Sequence, residues 1–267
     1  MQNRKELVNC LFIADILGKP GRKIVSDRLQ SLRKEFDIDL CVANCENASG
    51  GKGITVKVAN ALFSYGIDVL TSGNHVWAQK EIIPYLESHS NILRPANYPP
   101  GAKGSGFGLF PIGKGYHIGV LNLQGRVFMK DLDCPFRVAL EATAELRRTT
   151  KVILVDFHAE ATSEKNALGR YLDGRVSAVL GTHTHVGTSD ARILPQGTAF
   201  ITDVGMVGPT SSIIGNDIDA VIQRFLTQIP QRLPLGQGPT IFNSVLIEIE
   251  QSTGKALNIT RIDRKVN

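Results

Sequence analysis

His183 and His185 stand one residue apart in the stretch GTHTH, directly after the apolar run Val176 to Leu180. A strand sends alternate side chains to one face, so a strand ending here predicts two imidazoles converging on one point, which is how a metal is gripped. A lone histidine would carry little. However, four of the six histidines, His75, His158, His183 and His185, fall at the carboxyl ends of expected strands, and Asp15, Glu46, Asn47 and Asn74 fall at equivalent places. Open α/β sheets bind ligands at that edge, so these residues outline one enclosed site rather than a set of separate turns.

The donor types also narrow the choice of ion. Carboxylate, amide oxygen and imidazole without thiolate suit iron, manganese or zinc better than calcium or a cysteine-rich structural zinc. Asp15, Glu46, Asn47, Asn74, His158, His183 and His185 exceed what one tetrahedral ion can use. Two transition-metal ions roughly 3.5–4 Å apart, sharing a carboxylate and a bridging hydroxide nucleophile, would use them all. In-line attack on phosphorus is the chemistry such a pair does best.

Alternating strands and helices must position these donors. Val8 to Ala14 reads as a strand, and Pro20-Gly21 opens a helix to about Phe36. Leu40 to Ala43 and Asp68 to Thr71 read as strands, with helices expected near Thr55 to Tyr65 and Gln79 to Glu87. That order implies a parallel sheet with right-handed crossovers. Phe107 to Ile112 and His117 to Leu123 look like a hairpin that begins a second sheet. After a helix near Phe136 to Arg148 come the buried strands Val152 to Phe157 and Val176 to Leu180, then a short hairpin from Arg192 to Thr202. A helix near Asp217 to Thr227 and the strands Ser244 to Ile249 and Ala256 to Ile262 close the chain, which reads as a single domain over residues 1–267.

Composition sets the outer bounds. The 267 residues are 42% hydrophobic and 21% charged, ordinary for a globular domain. No apolar stretch approaches the roughly 18 residues of a membrane helix, and MQNRKELVNCLFIAD reaches charge too early for a signal peptide, so a cytoplasmic protein is expected. Cys10, Cys41, Cys45 and Cys134 lack CxxC spacing and read as reduced thiols. A net charge of +5 suits an anionic substrate and is compatible with RNA nearby. Gly50-Gly51-Lys52-Gly53 has the composition of a phosphate cradle, the loop Gln124 to Pro135 with Arg126 and Arg137 could cover the site, and Asp203 to Pro209 reads as its rim or as a tight turn. His89 and His117 read as surface and hairpin residues.

Asp15, Gly73-Asn74-His75, His158 and the His183/His185 pair resemble the calcineurin-like metallophosphoesterase pattern, with departures at Leu17, at Glu46-Asn47 and in GTHTH itself. Those departures, together with DILGKPGR, ENASGGKGIT, GNHVW, RPANYPPG, DFHAEATSEK, GTHTHV and TDVGMVGP, are similar to the bacterial YmdB family of phosphodiesterases over nearly the whole chain. The resemblance implies a four-layer αββα sandwich, two mixed β-sheets flanked by helices. It also implies a dinuclear, iron-containing site that hydrolyses cyclic nucleotides such as 2′,3′-cyclic AMP. Carried over by position, Asp15, Glu46, Asn47 and His185 would hold one metal, and Glu46, Asn74, His158 and His183 the other, with Glu46 bridging. His75, beside a ligand but itself free, would be the proton donor to the leaving oxygen. Ala14 and Cys45 replace glycines common in the family, and Ala78 stands where aspartate is frequent. Two other readings compete with a phosphodiesterase: a phosphomonoesterase using the same metals, and a regulatory protein that binds a nucleotide or RNA-processing machinery with hydrolysis secondary. A homo-oligomer stays open.

Overall fold

The computed structural model describes residues 6–113 and 115–266. β1 (Leu7–Ile13) runs through β2 (Asp15–Ile16) into α1 (Gly18–Glu35), followed by β3 (Leu40–Asn44), α2 (Val56–Ser64), β4 (Val69–Thr71) and α3 (Ile82–Ser88). The hairpin β5 (Phe107–Ile112) and β6 (Tyr116–Gln124) leads to α4 (Pro135–Leu146), β7 (Ile153–His158), α5 (Thr162–Tyr171) and β8 (Ala178–Thr182). Next come β9 (Arg192–Ile193), β10 (Ala199–Ile201), β11 (Met206–Pro209) and α6 (Ile218–Thr227). The chain closes with β12 (Thr240–Phe242), β13 (Ser244–Glu250), β14 (Ala256–Arg261) and β15 (Arg264–Val266).

The result is a mixed α/β fold. One sheet has the order β14-β13-β1-β3-β4 and the other β5-β6-β7-β8-β10-β9, each combining parallel and antiparallel pairs. The pleat sorts the core. Leu11 and Ile13 of β1 join Ile24, Val25, Leu29 and Leu32 of α1, while Val8, Cys10 and Phe12 join Val120, Leu154 and Leu180 of the six-stranded sheet. The far face of that second sheet, Leu121, Leu123, Ile153, Val155 and Phe157, packs on Ala139, Ala142 and Leu146 of α4 and Leu168 of α5.

A third, four-stranded sheet, β15-β12-β11-β2, was not visible in the sequence. Its strands are too short for a period of two to emerge. Asp203 to Pro209, read as a rim or tight turn, contains β11, which pairs parallel to β2 with Met206 opposite Asp15. A side chain at Gly21 would collide with the Val207 carbonyl, so the first turn of α1 lies directly on β11. All four cysteines are free, and no helix among the described residues is long and apolar enough to cross a membrane.

α5 packs just as closely, and it carries two residues that matter below. A Cβ at Gly169 would overlap the ring of buried Phe200. Alanine there gains about 1 kcal/mol in helix propensity but overpacks at a cost of about 1–3 kcal/mol. Gly169→Ala should therefore lower stability in urea despite its better propensity, and adding Phe200→Leu should recover part of the loss. A stabilised single mutant would show that α5 has room to move.

Candidate metal centre

All eight residues singled out in the sequence join one contact network at the carboxyl ends of β1, β3, β4, β7 and β8. At its centre, His158 Nε2 lies 3.1 Å from Glu46 Oε1, 3.1 Å from Asn74 Oδ1 and 3.0 Å from His183 Nδ1. Ligand atoms of Glu46, His158 and His183 all fall within 4.8 Å of one another. The other half is looser: His185 Nε2 is 3.0 Å from Asn47 Nδ2 and 3.8 Å from Asp15 Oδ1. Asp15 is wholly buried, and its Oδ1 accepts no hydrogen bond.

His183 and His185 do not converge by strand pleating, contrary to the expectation from GTHTH. β8 ends at Thr182, and both histidines sit in the following loop with positive φ, 99° and 63°. Such conformations cost about 1–3 kcal/mol each for a residue with a side chain. The loop is held by Asp203, a buried carboxylate whose Oδ2 accepts from Thr184 N at 3.1 Å, Thr184 Oγ1 at 2.7 Å and Lys165 Nζ at 2.7 Å. Thr184 lies between the two histidines, so this buried ion pair fixes both backbones. Lys165 was not recognised in the sequence, and Asp203, read there as the start of a rim or tight turn, acts on the site through Thr184.

The remaining hydrogen bonds set which ring nitrogen of each histidine faces inward. Thr182 Oγ1 gives its proton to Asp156 Oδ1 at 2.7 Å and so must accept from His158 Nδ1 at 3.0 Å, which turns Nε2 toward the cluster. His183 Nε2 meets Glu160 Oε2 at 3.1 Å, turning Nδ1 inward. His185 Nδ1 donates to the Ile214 carbonyl at 2.8 Å, turning Nε2 inward. His75 is oriented the opposite way. Its Nδ1 faces the acceptors Asn47 Oδ1 at 3.0 Å and Glu46 Oε1 at 3.2 Å, so its inner nitrogen is a donor and offers a cation no lone pair.

Asp156, Asn44, Thr71, Thr182 and Glu160 are further supports that sequence reading missed. Asp156 left a signal: a charged residue inside the apolar strand ILVDF, two before His158 and therefore on the same face.

Electrostatics fit a cation. Burial lifts Asp15 above its ordinary range against the pull of His185 and His158. Burial would raise Glu46 too, but His158 and His75 hold it well below the usual carboxylate range. Burial disfavours charge on His158, yet Glu46 and Asp15 raise it to about 9, whereas burial and His158 push His183 down to about 3. The proton that Glu46 favours on His158 Nε2 is the one a cation would displace. Cys45 adjoins this cluster without serving it, since burial, reinforced by Glu46, pushes its thiol up.

The glycine loop is not a phosphate cradle over its whole length. The amides of Lys52 and Gly53 are spent on the carbonyls of Ser49 and Glu46. His89 stacks on Tyr85, and His117 is exposed in its hairpin, both away from the site.

Fold and site together define a mixed α/β protein with a buried carboxylate–imidazole centre fit for metal. A family model for YmdB-like proteins matches residues 11–262, and the chain belongs to that family. It is 48% identical over 252 residues to the 2′,3′-cyclic-nucleotide 2′-phosphodiesterase of Bacillus subtilis strain 168, covering 94% of this chain and 95% of the relative. The crystal structure of a hypothetical protein from Thermus thermophilus matches with TM-score 0.90 at 41% identity, over 97% of this chain and 100% of that one. That of a novel phosphatase from Mycoplasma pneumoniae matches with TM-score 0.92 at 34% identity, over 99% and 95%.

Gly73 provides a direct test of the centre. A Cβ there would collide with both Glu46 Oε2 and the His158 ring. Gly73→Ala should force these two apart and weaken cation binding about tenfold or more, as displaced ligand supports do, while far-UV circular dichroism stays as in the wild type. Unaltered cation affinity in titration calorimetry would refute the assignment of Glu46 and His158 to one ion.

Proposed function

We propose that this chain is a metal-dependent phosphodiesterase acting on 2′,3′-cyclic nucleotides or similar small phosphodiesters. The observation that carries the reading is the inward ring nitrogen of three histidines, each fixed by a partner on its other nitrogen and aimed at Asp15, Glu46, Asn47 and Asn74. Asp15, Glu46, Asn47 and His185 would hold one ion, and Glu46, Asn74, His158 and His183 a second, with Glu46 shared. Iron comes first for such donors, with manganese and zinc as alternatives. When bound, the ions would neutralise the phosphate's nonbridging oxygens and acidify a water for in-line attack. The relative from Bacillus subtilis carries the same activity in its name. The three cores described above, helix on sheet, sheet on sheet and sheet on helix, favour the four-layer reading of the fold. The free thiols suit a reducing cytoplasm.

His75 has a separate task. With Nδ1 tied to Asn47 and Glu46, its ring lines the cavity above the centre, and Nε2 is left to hold a proton for the leaving ribose oxygen. As the P–O bond breaks, that oxygen takes the Nε2 proton instead of departing as an alkoxide.

The first test is metal removal. Chelator-stripped protein should lose hydrolysis of 2′,3′-cyclic AMP and recover it with added iron or manganese; activity that survives verified stripping would end the reading. Phosphomonoesters belong in the same panel because the Mycoplasma pneumoniae relative is named a phosphatase. A second test uses His75→Ala, which should keep its metal but lose roughly 10²–10⁴-fold in turnover of cyclic AMP. It should lose much less with bis-nitrophenyl phosphate, whose leaving group needs no proton. Equal losses on both would count against proton donation by His75.

A further inference from the structure

The cavity over the metal centre, of about 420 Å³, is lined by Lys52, Asn74, His75, Ala78, Phe128, Met129, Lys130 and His183. One wall is chemically unlike the rest. Phe128 is 89% exposed and holds a left-handed φ of 60°. A phenylalanine left in water at a strained backbone position forgoes the burial that normally justifies its ring.

The segment bearing it is nonetheless anchored. Glu164, buried in the first turn of α5, accepts from Arg126 N at 3.0 Å and Val127 N at 3.2 Å. Gly125 N donates to the carbonyl of His158 at 2.9 Å, and Met129 N to that of Arg126 at 3.1 Å, closing a turn around Phe128. The ring is thus presented to the cavity from a tether that begins at one of the candidate metal ligands. Lys52 and Lys130 line the same cavity, and no carboxylate lies among the lining residues. An aromatic face beside a phosphate-cleaving centre flanked by two ammonium groups matches the two parts of a cyclic nucleotide: its base and its single anionic phosphate. Stacking of a base on an aromatic side chain tolerates any sequence and needs only an accessible ring.

Resting on the reading of the site as a nucleotide phosphodiesterase, we propose that Phe128 is the platform on which the substrate's base stacks. Lys52 and Lys130 add to the positive field that draws the scissile phosphate, the nucleotide's only negative charge, into the cavity. The cleft then selects nucleotides over base-free phosphodiesters through binding and not through the chemical step.

The experiment compares metal-loaded wild type, Phe128→Ala and Phe128→Tyr on 2′,3′-cyclic AMP and on the 2′,3′-cyclic phosphate of methyl riboside, which lacks a base. The readout is the ratio of kcat/KM for the two substrates. Phe128→Ala should lower that ratio about tenfold, within the range of one base stack, mainly through KM for cyclic AMP, and Phe128→Tyr should restore it. A ratio unaltered in Phe128→Ala, or one that tyrosine fails to restore, overturns the platform while leaving the phosphodiesterase reading intact. A wild-type protein that cleaves the base-free substrate as well as cyclic AMP also overturns it. A wild-type protein inert toward every cyclic nucleotide overturns both.

Discussion

Asp156 is the interaction on which the site depends. Its buried carboxylate accepts from Thr182 Oγ1 at 2.7 Å, Asn44 Nδ2 at 2.9 Å and Thr71 Oγ1 at 2.5 Å. Asn44 and Thr71 belong to β3 and β4 of one sheet, while Thr182 and Asp156 belong to β8 and β7 of the other. A single charge therefore joins the two sheets at the edge where the candidate ligands gather. Burial raises its pKa to about 6, and His158 with the hydroxyls of Thr71 and Thr182 keeps the ionised form usable at neutral pH. Because Thr182 spends its only proton on Asp156, His158 has one orientation available, and Glu46, Asn74 and His183 are arranged around that ring.

The loop after β8 shows what the centre costs. Two histidines with positive φ are tolerated because Lys165 and Asp203, each 1% exposed, lie beneath them as a buried ion pair. Removing one partner of such a pair leaves an uncompensated charge, a loss of about 3–5 kcal/mol, while the intact pair contributes far less to stability. The pair serves mainly to specify the geometry of one loop.

Much of this was legible in the sequence because donor type and strand end are local properties. β1, β3, β4, β7 and β8 announce themselves as apolar runs, and Asp15, Glu46, Asn74, His158 and His183 follow them or end them. The mechanism inferred from GTHTH was wrong in detail: alternation applies within a strand, and the strand stops one residue before His183. Asp156 was hidden by its neighbours in ILVDF, and Asp203 acts through Thr184 across a sequence gap that no motif spans. The small sheet containing β2 and β11 rests on pairings of two or three residues, below the length at which periodicity carries information.

The inward nitrogens of the three histidines are fixed by different kinds of partner, and this makes them unequally exposed to mutational drift. His158 relies on Thr182 and His183 on Glu160, both side chains that a single codon change can delete. His185 relies on the carbonyl of Ile214, which every residue type supplies. Ile214 itself has φ 45°, so asparagine or glycine would fit that backbone more easily than isoleucine does. The lineage can therefore wander at position 214 while one half of the centre keeps its aim, whereas substitution at 160 or 182 removes the partner that orients an imidazole of the other half.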